Sequence, residues 1–332
     1  MTHDSKGSVD SLDQKGAWRF RRNQKGWKAT QIMDTGKAID YGAGIGDALM
    51  HPPLDTGLKS LNTACVESGG EGIPHWYYCI IGGASNAGKT QTLWYLLSQA
   101  CKQELHPAII TMEVPTTGIQ RSFYARVTDF AYGDFLPKNW VKDEVANVDR
   151  LRTQIADFNN DDRRTFSVSE FDGLPDLDDI MDEAYRLKDA GHSVIGVDHL
   201  QHIRASRNED IAELATEVSE ALRMFAHKEK VLVLAASQLN RTASRERDRQ
   251  PISQDLWGGT AMESNANMVL LMDHSVHIRD PADFAILRTN LVLDKQREGP
   301  NRVRIPIEFN FRKGSCREGM PDEEYLWNPK LK

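Results

Sequence analysis

Eight consecutive residues carry the clearest chemical signal in the chain. Gly83, Ala84, Ser85, Asn86, Ala87, Gly88, Lys89 and Thr90 match G-x-x-x-x-G-K-[ST] at every fixed position. The two glycines let the backbone curl until its N–H groups converge on a polyphosphate. A helix opening straight after such a turn adds about half a positive charge at its start. Lys89 offers a cation for the β- and γ-phosphates of a nucleotide such as ATP, and Thr90 a hydroxyl for Mg²⁺. The context fits. His75 to Ile81, with W-Y-Y-C-I-I at its heart, reads as a strand. Lys89 to Gln103 reads as a helix with Leu93, Leu96, Leu97 and Ala100 on one face.

Phosphoryl transfer to water needs two further groups, a carboxylate for the metal and something to orient the attacking water. Asp198 ends the apolar run S-V-I-G-V-D, and Glu113 ends A-I-I-T-M-E. A carboxylate at the carboxyl end of a buried strand points into the ligand crevice of an open α/β sheet. Asp198 is therefore the candidate metal ligand beside Thr90. Glu113 is the candidate base, provided its strand lies next to the P-loop strand. A plainer reading stays open for both, a strand-end acid that caps a helix or pairs at the surface.

The elements that must position these groups are legible as alternating apolar runs and helical periods. Strands are expected at Ala108 to Met112, Val194 to Val197, Val231 to Ala236, Met268 to Met272 and Leu291 to Leu293. Leu177, Ile180, Met181, Ala184 and Leu187 mark one helix. Ile211, Leu214, Ala215, Val218, Leu222 and Phe225 mark a longer one. Continuous apolar strands between amphipathic helices specify an α/β fold, a mostly parallel sheet with helices on both faces. Near the end, Val303, Ile305, Ile307 and Phe309 alternate with Arg302, Arg304 and Glu308. That period of two predicts an antiparallel edge strand with one wet face.

Composition sets the outer bounds. The chain has 332 residues, 40% apolar and 27% charged, with 41 Lys plus Arg against 48 Asp plus Glu. This is too apolar for a disordered protein. No apolar run of about 18 residues is present, so no membrane partner is expected. The polar start, Met1 to Lys28, has no apolar segment of a secretory leader. Cys65, Cys79, Cys101 and Cys316 are too scattered for a disulfide framework or a zinc site, which suits a reducing, cytoplasmic setting. The net charge of −7 excludes a uniformly basic protein but not a local phosphate-binding strip.

Residues 1–50 differ from the rest. Lys15, Arg19, Arg21, Arg22, Lys25 and Lys28 are interleaved with Trp18, Phe20 and Trp27. Two readings are open: an arm that folds on contact with nucleic acid or a partner protein, and a solvated tail whose aromatics pack on its own domain. The expected organisation is an arm over 1–50, an ATPase domain over 51–320 and a tail over 321–332.

The order of motifs resembles the RecA-like ATPase domain of DnaB-type hexameric replicative helicases, including phage and plasmid members, from about Leu54 to Arg317. The resemblance rests on L-D-T-G-L-K-S-L-N before the P-loop, T-M-E-V-P around Glu113, and G-V-D-H-L-Q around Asp198. It continues with A-S-Q-L-N-R from Ala236 to Arg241 and D-K-Q-R-E-G from Asp294 to Gly299. It implies a RecA-like P-loop NTPase core that uses ATP and Mg²⁺ and assembles as a homo-hexameric ring on single-stranded DNA. It also implies a bacterial or phage-infected cell. Glu113 would be the catalytic glutamate, and Gln238 would couple nucleotide state to DNA. Lys295 and Arg297 would reach the γ-phosphate held by the neighbouring subunit. His199 stands where the family usually has tyrosine.

The resemblance also assigns the DNA-facing segments. Arg241 to Gln254, with Arg241, Arg245, Arg247 and Arg249, is read as a mobile loop lining the channel. Asp255 to Glu263 corresponds to the family's D-L-R-x-S-G-A-I-E, with Trp257 in place of the arginine. Gly258, Gly259 and Thr260 still offer N–H groups to phosphate. Trp257 is read either as a stacking platform for a base or as a core or interface tryptophan. About 50 residues leave no room for the family's primase-binding N-terminal domain, so the arm is the candidate contact for a replication or loader partner. A competing reading is a RecA/RadA- or KaiC-like ATPase that is not a helicase, either a recombination factor or a nucleotide-gated switch. A third is a non-enzymatic ATP-binding assembly factor.

Overall fold

The structure is a computed structural model that describes residues 20–23, 26–29, 52–128, 130–135, 145–161, 165–204, 210–246, 248–276, 278–279 and 283–319. The chain divides into two compact units, 1–50 and 51–332. In the first unit, β1 (Phe20–Asn23) and β2 (Gly26–Ala29) pair antiparallel, with Arg22 opposite Trp27. This part of the arm thus has local strand pairing, which neither reading of residues 1–50 specifies. Trp18, Lys15, Arg19 and Lys25 lie outside the described residues, as does the proposed tail 321–332.

The second unit is built on one sheet. Its strands are β3 (Tyr78–Gly83), β4 (Pro107–Thr111), β5 (Ser167–Glu170), β6 (Val194–Asp198), β7 (Leu232–Gln238) and β8 (Met268–Met272). They continue with β9 (Ile278–Arg279), β10 (Ile286–Gln296), β11 (Val303–Asn310) and β12 (Ser315–Glu318). The order across the sheet is β12-β11-β10-β8-β3-β7-β6-β4-β5, with β9 on β10. From β8 to β5 the strands run parallel, and β10, β11 and β12 add antiparallel. β3, β4, β6 and β8 are buried along their whole length. That is why they read as unbroken apolar runs, since helices cover both faces.

Two expectations are corrected by this topology. β4 does not lie beside β3, because β7 and β6 intervene. β11 alternates buried and less buried residues as predicted, yet it is not an edge, since β12 pairs along its outer side. β12 is four residues long and polar, which is why periodicity did not show it. The P-loop strand also starts later than expected, at Tyr78, and runs on through Gly82 and Gly83. A Cβ on Gly82 would lie 2.5 Å from Leu256 and 2.6 Å from Leu271, so only glycine lets the loop after β7 close over β3.

The P-loop helix, Lys89–Lys102, buries Leu93, Leu96, Leu97 and Ala100. It packs on β6 at Gly196, where a Cβ would meet Leu97 at 2.9 Å. The helix Leu177–Asp189 is opened by a capping box between Asp176 and Asp179. The helix Ile211–Glu229 ends where Lys230 takes a left-handed conformation. Thr116–Val127 and Val145–Asn159 form two further helices, with a small satellite core of Ala125, Phe135 and Leu151.

Candidate nucleotide site

The C-terminal edge of the parallel sheet gathers the candidate residues. Gln238 is in register with Gly83, and Asp198 with Thr111. Beyond β3 the loop turns through Asn86 and Gly88 at φ 61° and 103°. A Cβ on Gly83 would lie 3.0 Å from Met272 and 3.2 Å from the Lys89 stem, so the loop closes tightly on its own lysine. No side chain caps the helix that follows. Its first N–H groups therefore point out of the helix toward any anion in the loop.

A cavity of about 500 Å³ opens over this loop, lined by Ser85, Asn86, Gly88, Lys89, Thr90, Gln91, Glu113, His199, Gln238 and Phe311. Lys89 is 6% exposed, and its Nζ donates to the Ala84 carbonyl at 2.9 Å. Burial lowers its pKa, while Asp198 and Glu113 act in the opposite sense. Thr90 Oγ1 donates to Asp198 Oδ1 at 3.3 Å. Glu113 stands two residues beyond the end of β4, where the Met112 N–H bonds the Asp198 carbonyl at 3.1 Å. This extension carries Glu113 to the cavity across the two intervening strands. His199 Nε2 lies 3.2 Å from Glu113 Oε2 and 3.3 Å from Gln238 Nε2.

Asp198 is the buried anomaly of the site. It is fully buried and its Oδ2 makes no hydrogen bond. Burial pushes its pKa up to about 6; Thr90 lowers it, Glu113 raises it and Lys89 lowers it. An orphaned carboxylate oxygen beside a threonine hydroxyl is a hard oxygen set that suits Mg²⁺, an ion content with one or two protein ligands. No cluster of three or more His, Cys, Asp or Glu side chains placed to hold a metal is present among the described residues.

The cost of that carboxylate gives a test. Its native pKa stands above its unfolded value, so the folded state holds the extra proton between pH ~4 and ~6. Stability of the nucleotide-free protein from this group is greatest below pH ~4 and declines as pH rises to ~6. Asp198→Asn is expected to remove about 2–3 kcal/mol of destabilisation at pH 7 and to raise the melting temperature by several degrees. The same variant should lose the Mg²⁺-dependent stabilisation by nucleotide. Thermal melts from pH 4 to 8, with and without Mg²⁺ and a non-hydrolysable ATP analogue, check both halves.

Lys295 and Arg297 sit at the other end of the sheet. Lys295 is in register with Val269, and the Arg297 N–H bonds the Asn267 carbonyl ahead of β8. Lys295 Nζ is held by the Glu263 and Ser264 carbonyls, and Arg297 is exposed. Neither is brought to the cavity of its own chain.

The segment expected to be a mobile loop is structured. Arg241–Arg245 is a short helix with Asn240 Oδ1 accepting from the Ala243 N–H at its start, and Ser253–Asp255 is a 3₁₀ turn. Arg249 is engaged with Asp255 at 2.6 and 2.8 Å and with Glu246 at 2.7 Å. Burial pushes Asp255 up, but Arg249 and the Ile252 N–H outweigh it and hold the carboxyl below its usual range. Such a fork–fork pair fixes the segment and leaves Arg249 little capacity for a phosphate. Arg241 and Arg245 are exposed, and Arg247 lies outside the described residues. Trp257 is half-buried against the main core. The Gly259 N–H is taken by the Leu256 carbonyl at 2.8 Å, so of the three amides offered to phosphate only those of Gly258 and Thr260 stay available.

Three residues that line the cavity were not nominated from the sequence: His199, noted there only as a substitution, Gln91 and Phe311. Gln91 follows Thr90 directly and could have been placed by its neighbour. Phe311 comes from beyond β11, and no spacing in the chain announces it.

A P-loop-patterned turn after β3, a carboxylate at the end of β6, one strand removed from β3, and an antiparallel C-terminal addition define a RecA-like P-loop fold. Residues 54–316 match the family described as DnaB-like helicase C terminal domain, and the chain belongs to that family. It is 26% identical over 243 residues to the replicative DNA helicase DnaB of Haemophilus influenzae, covering 70% of this chain and 49% of that one. The chain thus spans about half the length of this relative. Among solved structures, a DnaB-like replicative helicase, described together with its interactions with primase, superposes with a TM-score of 0.66 at 14% identity, covering 85% of this chain and 68% of that one. A KaiC-like protein from Pyrococcus horikoshii gives 0.52 at 13% identity, covering 81% of this chain and all of that one. The KaiC-like alternative is therefore the weaker likeness in fold. No helix among the described residues is long and apolar enough to cross a membrane.

Proposed function

We propose that the chain is an ATP-driven DNA helicase motor of DnaB type, acting as a homo-hexameric ring around single-stranded DNA in the cytoplasm of a bacterial or phage-infected cell. The observation that carries this reading is the separation of Lys295 and Arg297 from Lys89, Thr90, Glu113, Asp198 and Gln238. The two sets occupy opposite ends of one sheet. A protomer built this way presents half a site at each end, and a head-to-tail interface joins the halves and closes into a ring.

The roles follow from charge and position. Gly83 to Gly88 wrap the triphosphate with backbone N–H groups, and Lys89 neutralises the β- and γ-phosphates. Thr90 and Asp198 would hold Mg²⁺, which when bound supplies charge neutralisation at the phosphate oxygens. Glu113 orients and polarises the attacking water. Arg297 and Lys295 of the adjoining protomer stabilise the charge that develops as the γ-phosphoryl leaves.

On the DNA side, Arg241, Arg245 and the Gly258 and Thr260 amides meet phosphates, a sequence-independent grip suited to a translocating motor. Gln238 connects the two sides, since its carbonyl accepts the Trp257 N–H at 2.9 Å. The arm over 1–50 contacts a loader or replication partner. Unwinding of a forked duplex tests this reading. The protein should unwind it only with ATP, and single strands should stimulate its ATP turnover in a salt-sensitive way. Lys89→Ala should abolish both activities, with nucleotide affinity lowered about 100-fold. Salt-insensitive turnover indifferent to single strands would refute it.

A further inference from the structure

Two hydrogen-bonding side chains compete for one nitrogen in this site. His199 Nε2 stands 3.2 Å from Glu113 Oε2 and 3.3 Å from Gln238 Nε2. The imidazole is 3% exposed and lies against His202, with ring centroids 4.1 Å apart. Its Nδ1 makes no hydrogen bond to another residue among the described ones.

An imidazole nitrogen presents either a proton or a lone pair. Carrying the proton, Nε2 donates to the Glu113 carboxylate and cannot accept from the Gln238 amide. With the proton on Nδ1, Nε2 accepts from Gln238 and turns a lone pair toward Glu113, which is repelled. The tautomer of a histidine is fixed by the partner of its other nitrogen. Here Nδ1 meets no acceptor on another described residue and only its own backbone, so the contest at Nε2 between Glu113 and Gln238 decides where the proton sits. The two bonds exclude each other.

Gln238 does not move alone. Its carbonyl accepts the Trp257 N–H at 2.9 Å, and the next residues are joined to the same segment by the Asn240 N–H to Asp255 carbonyl bond at 2.7 Å. A ligand pulling on residues 255–260 pulls on Gln238. Glu113 is 48% exposed in its side chain, and its bond to the buried imidazole restrains a group that otherwise swings in the cavity.

We propose that His199 is a positioning residue that holds Glu113 off the attacking water until Gln238 replaces it on Nε2. This rests on the reading of Glu113 as the base and names what regulates that base, namely engagement of single-stranded DNA through Gln238.

The test is steady-state ATP turnover of the full chain with and without oligo-dT. His199→Phe keeps the ring and deletes both bonds. It should raise the DNA-free kcat about ten-fold, leave KM within two-fold, and bring the ratio of stimulated to basal turnover close to one. Gln238→Met leaves Glu113 restrained, so oligo-dT should no longer raise kcat. The double variant should follow His199→Phe, because the restraint acts after Gln238. A His199→Phe protein whose two kcat values fall by the same factor, or a double variant that follows Gln238→Met, overturns the proposal. If His199→Phe melts below the assay temperature, His199→Asn, too short to reach either partner, carries the same expectations. Glu113→Gln is run in parallel. If it hydrolyses ATP like wild type, the assignment of the base fails. If it is silent while the stimulation ratio of His199→Phe stays at the wild-type value, the restraint alone fails.

Discussion

Glu113→Gln is expected to lower ATP turnover by about 10²–10⁴-fold while nucleotide affinity stays within a few-fold. Glutamine keeps the volume and the polar contacts but cannot take the proton of an attacking water. Glu113 reaches the cavity wall from a loop beyond the sheet and pairs with His199 rather than with the P-loop. Its replacement therefore spares the groups that grip the triphosphate. Phosphate release under saturating ATP measures the first quantity, and titration with a fluorescent ATP analogue the second. A turnover defect matched by an equal loss of affinity would make Glu113 a binding residue instead.

Arg297→Ala should cost about 10³–10⁵-fold in turnover, the range of a cation supplied in trans. Strand register makes the argument. Arg297 follows Gln296, which is opposite Met268, itself opposite Cys79. From that level to Gly83 the strand rises by roughly 13–17 Å, at ~3.3 Å per residue, and an arginine side chain of ~7 Å does not bridge it. The residue cannot serve the P-loop of its own chain. The variant should bind ATP as wild type does, since nothing in that grip is altered. A chain that loses ATP affinity on this substitution has a different arrangement.

The sheet was legible because its strands are buried on both faces, and such strands show themselves as runs of Ile, Val and Leu. Met268–Met272 reads off the sequence with its observed ends for this reason. β5 and β12 escaped because Ser167–Glu170 and Ser315–Glu318 are polar, half-exposed strands near the sheet margins. The helix Val145–Asn159 escaped for a similar reason. It carries Leu151 and Ile155 among charged residues and packs on a small satellite cluster rather than the main core.

The site was partly legible. Contiguity gave the P-loop, and strand ends gave Asp198. Strand order is a property of the whole fold, so the assumption that β4 adjoins β3 had no local signal to correct it. The same limit hid Phe311, which lies more than 220 residues from the P-loop. It also hid Arg249, whose commitment to Asp255 depends on a fold-back six residues away. The departure at His199 was visible as a substitution, but its meaning needed the two distances to Glu113 and Gln238.

Mixing two silent proteins tests the shared site most directly. Glu113→Gln and Arg297→Ala protomers, each inactive alone, are combined in equal amounts, dissociated and reassembled, and ATP turnover is followed. Random assembly places an intact Glu113 opposite an intact Arg297 at about a quarter of boundaries. Turnover should return to that order of the wild-type rate. A mixture as silent as its parents, in rings shown by mass to contain both, would contradict a site completed by the next protomer.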